Sequence, residues 1–178
     1  MFRAIAALAM ASATAAHSPA MLNPSAPWWE KVTVTVTDDG QTHSCLYETS
    51  LRPEATQDCS VVGSAKSMTK ASSLGSADQF TRITFERRFT PAAKPNLAAL
   101  EPGETLLGGQ VMALAIDGHG AVKNCKVVAS SGAVTPQYGC DDASAERFSA
   151  SAATGHARTA EREGYMTILV YGHSEHVV

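Results

Sequence analysis

The sequence predicts an α+β protein of two tandem small modules, each a three-stranded antiparallel sheet with a covering helix, in the order β-β-α-β. Three observations carry this expectation. The stretch Val32-Thr-Val-Thr-Val-Thr-Asp-Asp-Gly-Gln-Thr-His-Ser-Cys45 lines up, eighty residues on, with Met112-Ala-Leu-Ala-Ile-Asp-Gly-His-Gly-Ala-Val-Lys-Asn-Cys125. A second cysteine follows at nearly the same distance in each copy, Cys59 and Cys140. A hairpin, a helix and a further strand can then be read in both. Chains with a repeated period usually repeat one small folding unit.

The chain opens with Met1-Phe-Arg3 and an Ala-rich apolar run to Ala16. One positive charge, a short apolar stretch and small residues at its end make a signal-peptide pattern, so residues 1–16 are read as a cleaved export signal. The run is too short and too diluted by Ser12 and Thr14 for a bilayer span, which takes about 20 apolar residues. Residues 17–30 form a Pro-containing extended lead-in. It ends at Trp28 and Trp29, which should point to opposite faces of a strand, one into the core.

Module 1 covers residues 31–91. Lys31 to Thr37 alternates Val and Thr, the period of a half-buried strand. Asp38-Asp39-Gly40 signals a hairpin turn. Thr42 to Thr49 returns, Cys59 to Lys70 is read as a helix, and Phe80 to Phe89 as a strand with Ile83 and Phe85 on one face. Arg82, Arg87 and Arg88 would guard its edge. Thr90-Pro-Ala-Ala-Lys-Pro95 separates the modules.

Module 2 covers residues 96–178. Leu106 to Ile116 is a strand, Asp117-Gly-His-Gly120 a turn, and Ala121 to Ser130 the return strand. A helix runs from Tyr138–Asp142 to about Ala153, with Asp141 or Asp142 as its N-cap and Ala145, Phe148 and Ala152 near one face. Tyr165 to Tyr171 is the last strand. A helix must cover one face of such a sheet. Val127, two residues from Cys125, should therefore be buried beneath it.

Four cysteines in an exported chain read as disulfides. Three pairings are open. Cys45–Cys59 and Cys125–Cys140 are favoured because each closes a short loop inside one copy, worth about 3 kcal/mol in the chain-entropy model. A four-cysteine zinc site is disfavoured, since no close C-x2-4-C pair occurs. The net charge of −3 and the absence of a basic block argue against nucleic acid as a partner.

The run Val111 to Gly132, with its apolar strand, Asp/Gly turn, Val-containing return strand and Ser-Ser-Gly end, resembles the C-terminal domain of the TonB family of energy transducers. Phe148 and the Tyr165–Tyr171 strand fall where that family has its later elements. The resemblance covers about 70 residues of the second half, and the first half is a weak copy. It implies an envelope compartment and a domain that takes an extended peptide along its last strand, here Tyr165, Thr167, Leu169 and Tyr171. A membrane anchor and a long Pro-rich spacer, expected of an energy-transducing member, are replaced by a cleavable signal and a short lead-in.

Chemistry-bearing motifs are sparse. Ser67-Met-Thr-Lys70 matches Ser-x-x-Lys, but its partner motifs are absent. His173 and His176 offer two imidazoles without a third ligand. His17 would need further ligands to hold copper. Gly118-His-Gly120 lacks the third glycine of a dinucleotide loop. No nucleophile, base and orienting group come together. The expected function is a periplasmic, non-enzymatic binding module with no cofactor and no metal, engaging a protein or peptide of the envelope by edge-strand addition. The alternatives are a structural envelope protein whose two third strands pair and leave no free edge, or a small metal-binding protein or hydrolase.

Overall fold

The computed structural model describes residues 21–36, 42–51, 57–58, 81–93, 95, 102–150 and 160–173. Its strands are β1 (Trp28–Val36), β2 (Thr42–Thr49), β3 (Gln57–Asp58), β4 (Arg82–Pro91), β5 (Glu104–Ile116), β6 (Val122–Gly132) and β7 (Arg162–His173). The helix α1 spans Cys140–Ala145. The helix expected over Cys59 to Lys70 lies outside the described residues.

The expectation of two separate β-β-α-β modules is corrected. Six strands form one antiparallel sheet in the order β2-β1-β4-β7-β5-β6, and β3 adds two residues at the β2 edge. The third strands of the two halves, β4 and β7, pair from Arg82↔His173 to Pro91↔Gly164. Each half repeats the same order outward from that junction, third strand, first strand, return strand. A three-stranded unit leaves the outer backbone groups of its third strand unpaired. Pairing the two third strands satisfies both sets at once, and the fold becomes mostly β.

Alternation puts Trp28, Val32, Ile83, Phe85, Phe89, Met112, Leu114, Met166, Ile168 and Val170 on one face, where all are buried. They form two clusters. One gathers Trp28, Phe89, Met112, Leu114 and Met166 beneath Leu22, Tyr138, Ala143 and Phe148. The other gathers Val32, Tyr47, Ile83, Phe85 and Val170. The opposite face also holds buried residues on the central strands, among them Glu86, Thr167, Leu169 and Tyr171.

The second helix is much shorter than expected. Its N-cap is Gly139, and Asp142 accepts the Gly139 N–H from inside the first turn at 2.8 Å. The chain turns extended at Glu146. Arg147 then bridges Ala121, and Phe148 bridges Leu22 of the lead-in. The Phe148 ring enters the core against Phe89, with centroids 5.1 Å apart. Extended partners on both sides supply the backbone bonds that further helix would have made. With α1 only six residues long, Val127 is not roofed over and stands 43% exposed, against the expected burial.

The turn before β6 follows the sequence pattern. Asp117 accepts from the N–H of His119 and of Ala121, both at 2.9 Å. The Ala121 bond above all, with the His119 bond and nearby Lys123, holds the Asp117 carboxyl below its ordinary value. Gly120 has φ +81°, and a Cβ there would overlap the Phe148 carbonyl oxygen. Only glycine allows both the left-handed turn and this approach.

Leu22 anchors the lead-in: its N–H donates to Arg147 O at 3.0 Å, its carbonyl accepts from Ser149 N at 2.7 Å, and its side chain is buried among the first cluster. Leu22→Ala is expected to destabilise the fold by about 2–5 kcal/mol, as large-to-small core changes do. Urea unfolding of the mature chain measures it. A loss within the range of surface changes would show that the lead-in does not belong to the core.

Candidate functional site

β7 lies between β4 and β5. Tyr165, Thr167, Leu169 and Tyr171, expected to form a peptide-accepting edge, are thus interior residues paired on both sides, opposite Thr90, Arg88, Glu86 and Thr84 on β4 and Ala113, Val111, Gly109 and Leu106 on β5. Their backbone groups are spent in the two ladders, so this strand cannot accept another. The Tyr171 hydroxyl donates to Glu86 Oε2 at 3.2 Å, and burial, helped by Glu86, pushes its phenol above the ordinary range.

Among the described residues β3 covers only Leu46 and Tyr47 of β2 at one end of the sheet, and at the other end β6 is an open edge, pairing with β5 alone. Its register slips beside Val111/Met112 and beside Ala115/Ile116, so Val128 and Lys123 are extra residues and Asn124–Val127 is the regular stretch between them. Val127 and Val128 are 43% and 40% exposed. Lys123 and Lys126 are exposed as well, and the Lys123 ammonium reaches Asp117 at 3.4 Å. Bulges and lysines are common guards of strand edges. They leave a short ladder here, flanked by apolar side chains and positive charge.

The Cys125–Cys140 disulfide is present, with Cα atoms 5.5 Å apart. It ties β6 to the start of α1 and fixes this edge to the layer above the sheet. Cys45 is also disulfide-bonded; its expected partner Cys59 lies outside the described residues.

Beneath that layer the sheet carries a buried polar cluster that sequence reasoning missed. Glu30 and Arg87 are register partners on β1 and β4, each placed between apolar residues of the covered face. Arg87 donates through Nε (2.8 Å) and Nη2 to Glu30 Oε2, and through Nη1 to Glu146 and to the Tyr138 hydroxyl (3.1 Å). Its guanidinium lies 5.3 Å from the Trp28 ring centroid and 5.2 Å from that of Tyr138. The Tyr47 hydroxyl donates to Glu30, the Tyr138 hydroxyl to Glu146 (2.9 Å), and the Gln110 amide to the Tyr138 carbonyl. Two carboxylates thus face one guanidinium, and two phenols share the excess negative charge. Burial, reinforced at Tyr47 by Glu30, pushes both phenols well above their ordinary range, so both remain donors.

The signal was in the strand alternation. Trp28-x-Glu30-x-Val32 and Phe85-x-Arg87-x-Phe89 each carry a charge in an apolar column, and the two charges are opposite. Arg87 is no edge guard: it is 4% exposed. The cluster's guanidinium, carboxylates and phenols are paired with one another. Trp28 stacks on Phe89 at 5.7 Å, as a core residue should, while the Lys31 ammonium sits 5.3 Å from the Trp29 ring centroid.

The remaining candidates stay apart. His119 is exposed in the β5–β6 turn and His173 ends β7. Ser67, Lys70, His17 and His176 lie outside the described residues. Among the described residues no three His, Cys, Asp or Glu side chains could hold a metal ion, and no helix is long and apolar enough to cross a membrane.

Removing one partner of a buried pair strands the other charge, at about 3–5 kcal/mol. Arg87→Gln is expected to cost that much in denaturant unfolding. Glu146→Gln, whose carboxylate is 25% exposed, should cost about 1 kcal/mol. Equal, small losses would mean that the cluster is not the buried link described. No family model, no curated protein and no solved structure matches this chain.

Proposed function

We propose that this is an exported, non-enzymatic binding protein of the cell envelope, and that it takes an extended peptide along β6. The observation that carries this reading is the outer side of β6, unpaired among the described residues, with Val127 and Val128 exposed beside it. Strand addition gives affinity through backbone hydrogen bonds and selectivity through alternate side chains. Export is supported by the N-terminal signal pattern and by the Cys125–Cys140 bond, which belongs to an oxidising compartment such as the periplasm. The TonB-family likeness rests on the Val111–Gly132 hairpin and favours the same compartment and the same manner of recognition.

The geometry also sets the strength. Four regular residues admit only a few backbone hydrogen bonds, at about 1 kcal/mol each. Covering two half-exposed valines adds about 1 kcal/mol apiece, and association itself costs several kcal/mol. The complex is therefore weak, with Kd in the high micromolar range or above, on the order of 10⁻⁴ M. Lys126 selects an acidic residue opposite it.

A purely structural envelope role gains support from the β4–β7 ladder, which consumes both third-strand edges. Selection from a random peptide library with the oxidised mature chain separates the two readings. Binding is expected to slow amide exchange at Asn124–Val128 and to weaken several-fold in Lys126→Glu. Selected peptides that protect another segment, or the recovery of none, would contradict the β6 reading.

A further inference from the structure

Every buried charge on the described strands has its partner: Arg87 has Glu30 and Glu146, and Glu86 has Arg88 and Tyr171. Arg162 departs from this rule. It opens β7 opposite Ile116 of β5, and its Nη1 donates to Ser25 Oγ of the lead-in at 3.1 Å. Its Nε and Nη2 are buried and find no acceptor among the described residues. A guanidinium remains charged at any physiological pH, and a buried donor edge without an acceptor is costly. The neighbouring acids do not answer it, since Glu161 and Glu163 are exposed and alternate to the other face.

The missing group is an acceptor. A second buried donor on the same face, Trp28 Nε1, also lacks one. Phe89 links the two places, because its ring stacks on Trp28 and closes over Gly164, two residues from Arg162. The Nε and Nη2 of one guanidinium form a planar two-donor edge that matches the two oxygens of a carboxylate. One guanidinium also balances a single negative charge, whereas a phosphate dianion would be left half-neutralised.

We propose that the Nε–Nη2 edge of Arg162, beside Ser25, is a binding site for a carboxylate, supplied by a small organic acid or by a peptide chain. The site stands apart from the β6 edge and does not depend on it. An anion there ties the lead-in to the start of β7, the two segments that Ser25 and Arg162 already join.

The test uses the oxidised mature chain in sodium acetate and in sodium chloride at equal ionic strength and pH 7. Acetate at several times its Kd is expected to raise Tm by about 2–4 °C over chloride. Arg162→Gln should lose that increment, and Ser25→Ala should reduce it. In the wild-type chain the Arg162 Nε–H resonance should shift saturably with acetate, a readout independent of whether the variants fold. A blocked dipeptide with a free C-terminal carboxylate separates the sources: tighter binding than acetate assigns a peptide, and equal or weaker binding a small acid. The proposal is overturned by equal Tm in acetate and chloride, by an increment that persists in Arg162→Gln, by an unmoved Arg162 resonance, or by phosphate matching acetate through the same resonance.

Discussion

One guanidinium holds the two halves of this protein to a common frame. Arg87 sits on β4, at the junction of the halves, and reaches Glu30 in the first half and Tyr138 and Glu146 in the second. Its charge is stacked between Trp28 and Tyr138. A buried ion pair adds little net stability over an apolar core of the same volume. Its value lies elsewhere: its four hydrogen bonds require one arrangement of β1, β4 and the segment over the sheet. The apolar clusters on either side could tolerate small slides. The cluster around Arg87 cannot, because a slip of one residue would send Glu30 or Arg87 to the opposite face.

Much of the local structure was legible. Alternation of Val and Thr marked β1, the Asp117–Gly120 turn marked the β5–β6 hairpin, and the Cys125–Cys140 bond followed from loop length. These depend on neighbours along the chain. What failed depends on distant parts. Phe80 to Phe89 and Tyr165 to Tyr171 were both recognised as strands, yet nothing local said that they pair with each other. The spacing of Ala145 and Phe148 fits a helix face, but Phe148 reaches the core from an extended segment because Gly120 and Leu22 offer it backbone partners. Arg87 reads as an edge charge only while β4 is an edge, and pairing with β7 removes that edge. Placed in an apolar column opposite Glu30, it was readable in principle.

Joining the halves redistributes the open edges of the sheet. A sheet of two modules would have offered a third-strand edge on each. The continuous sheet spends both and leaves its two outer ends, the partly covered β2 and the longer β6, which is stiffened by its disulfide to α1 and by the Asp117 turn. The same layer that covers Arg87 thus also fixes the edge. The contacts to Arg87 and the disulfide to β6 are carried by one segment, Tyr138 to Phe148. A change that loosens its grip on Arg87 would disturb the frame of β6 as well.

Native-state hydrogen exchange of the β4 and β7 amides tests this continuity most directly. If the sheet is one cooperative unit, the amides of Thr84, Glu86 and Arg88 on β4 and of their register partners Tyr171, Leu169 and Thr167 on β7 exchange only by global opening, with one shared free energy. Separate openings, with β4 exchanging alongside β1 and β7 alongside β5 at different free energies, would show two independent halves and contradict the Arg87 link.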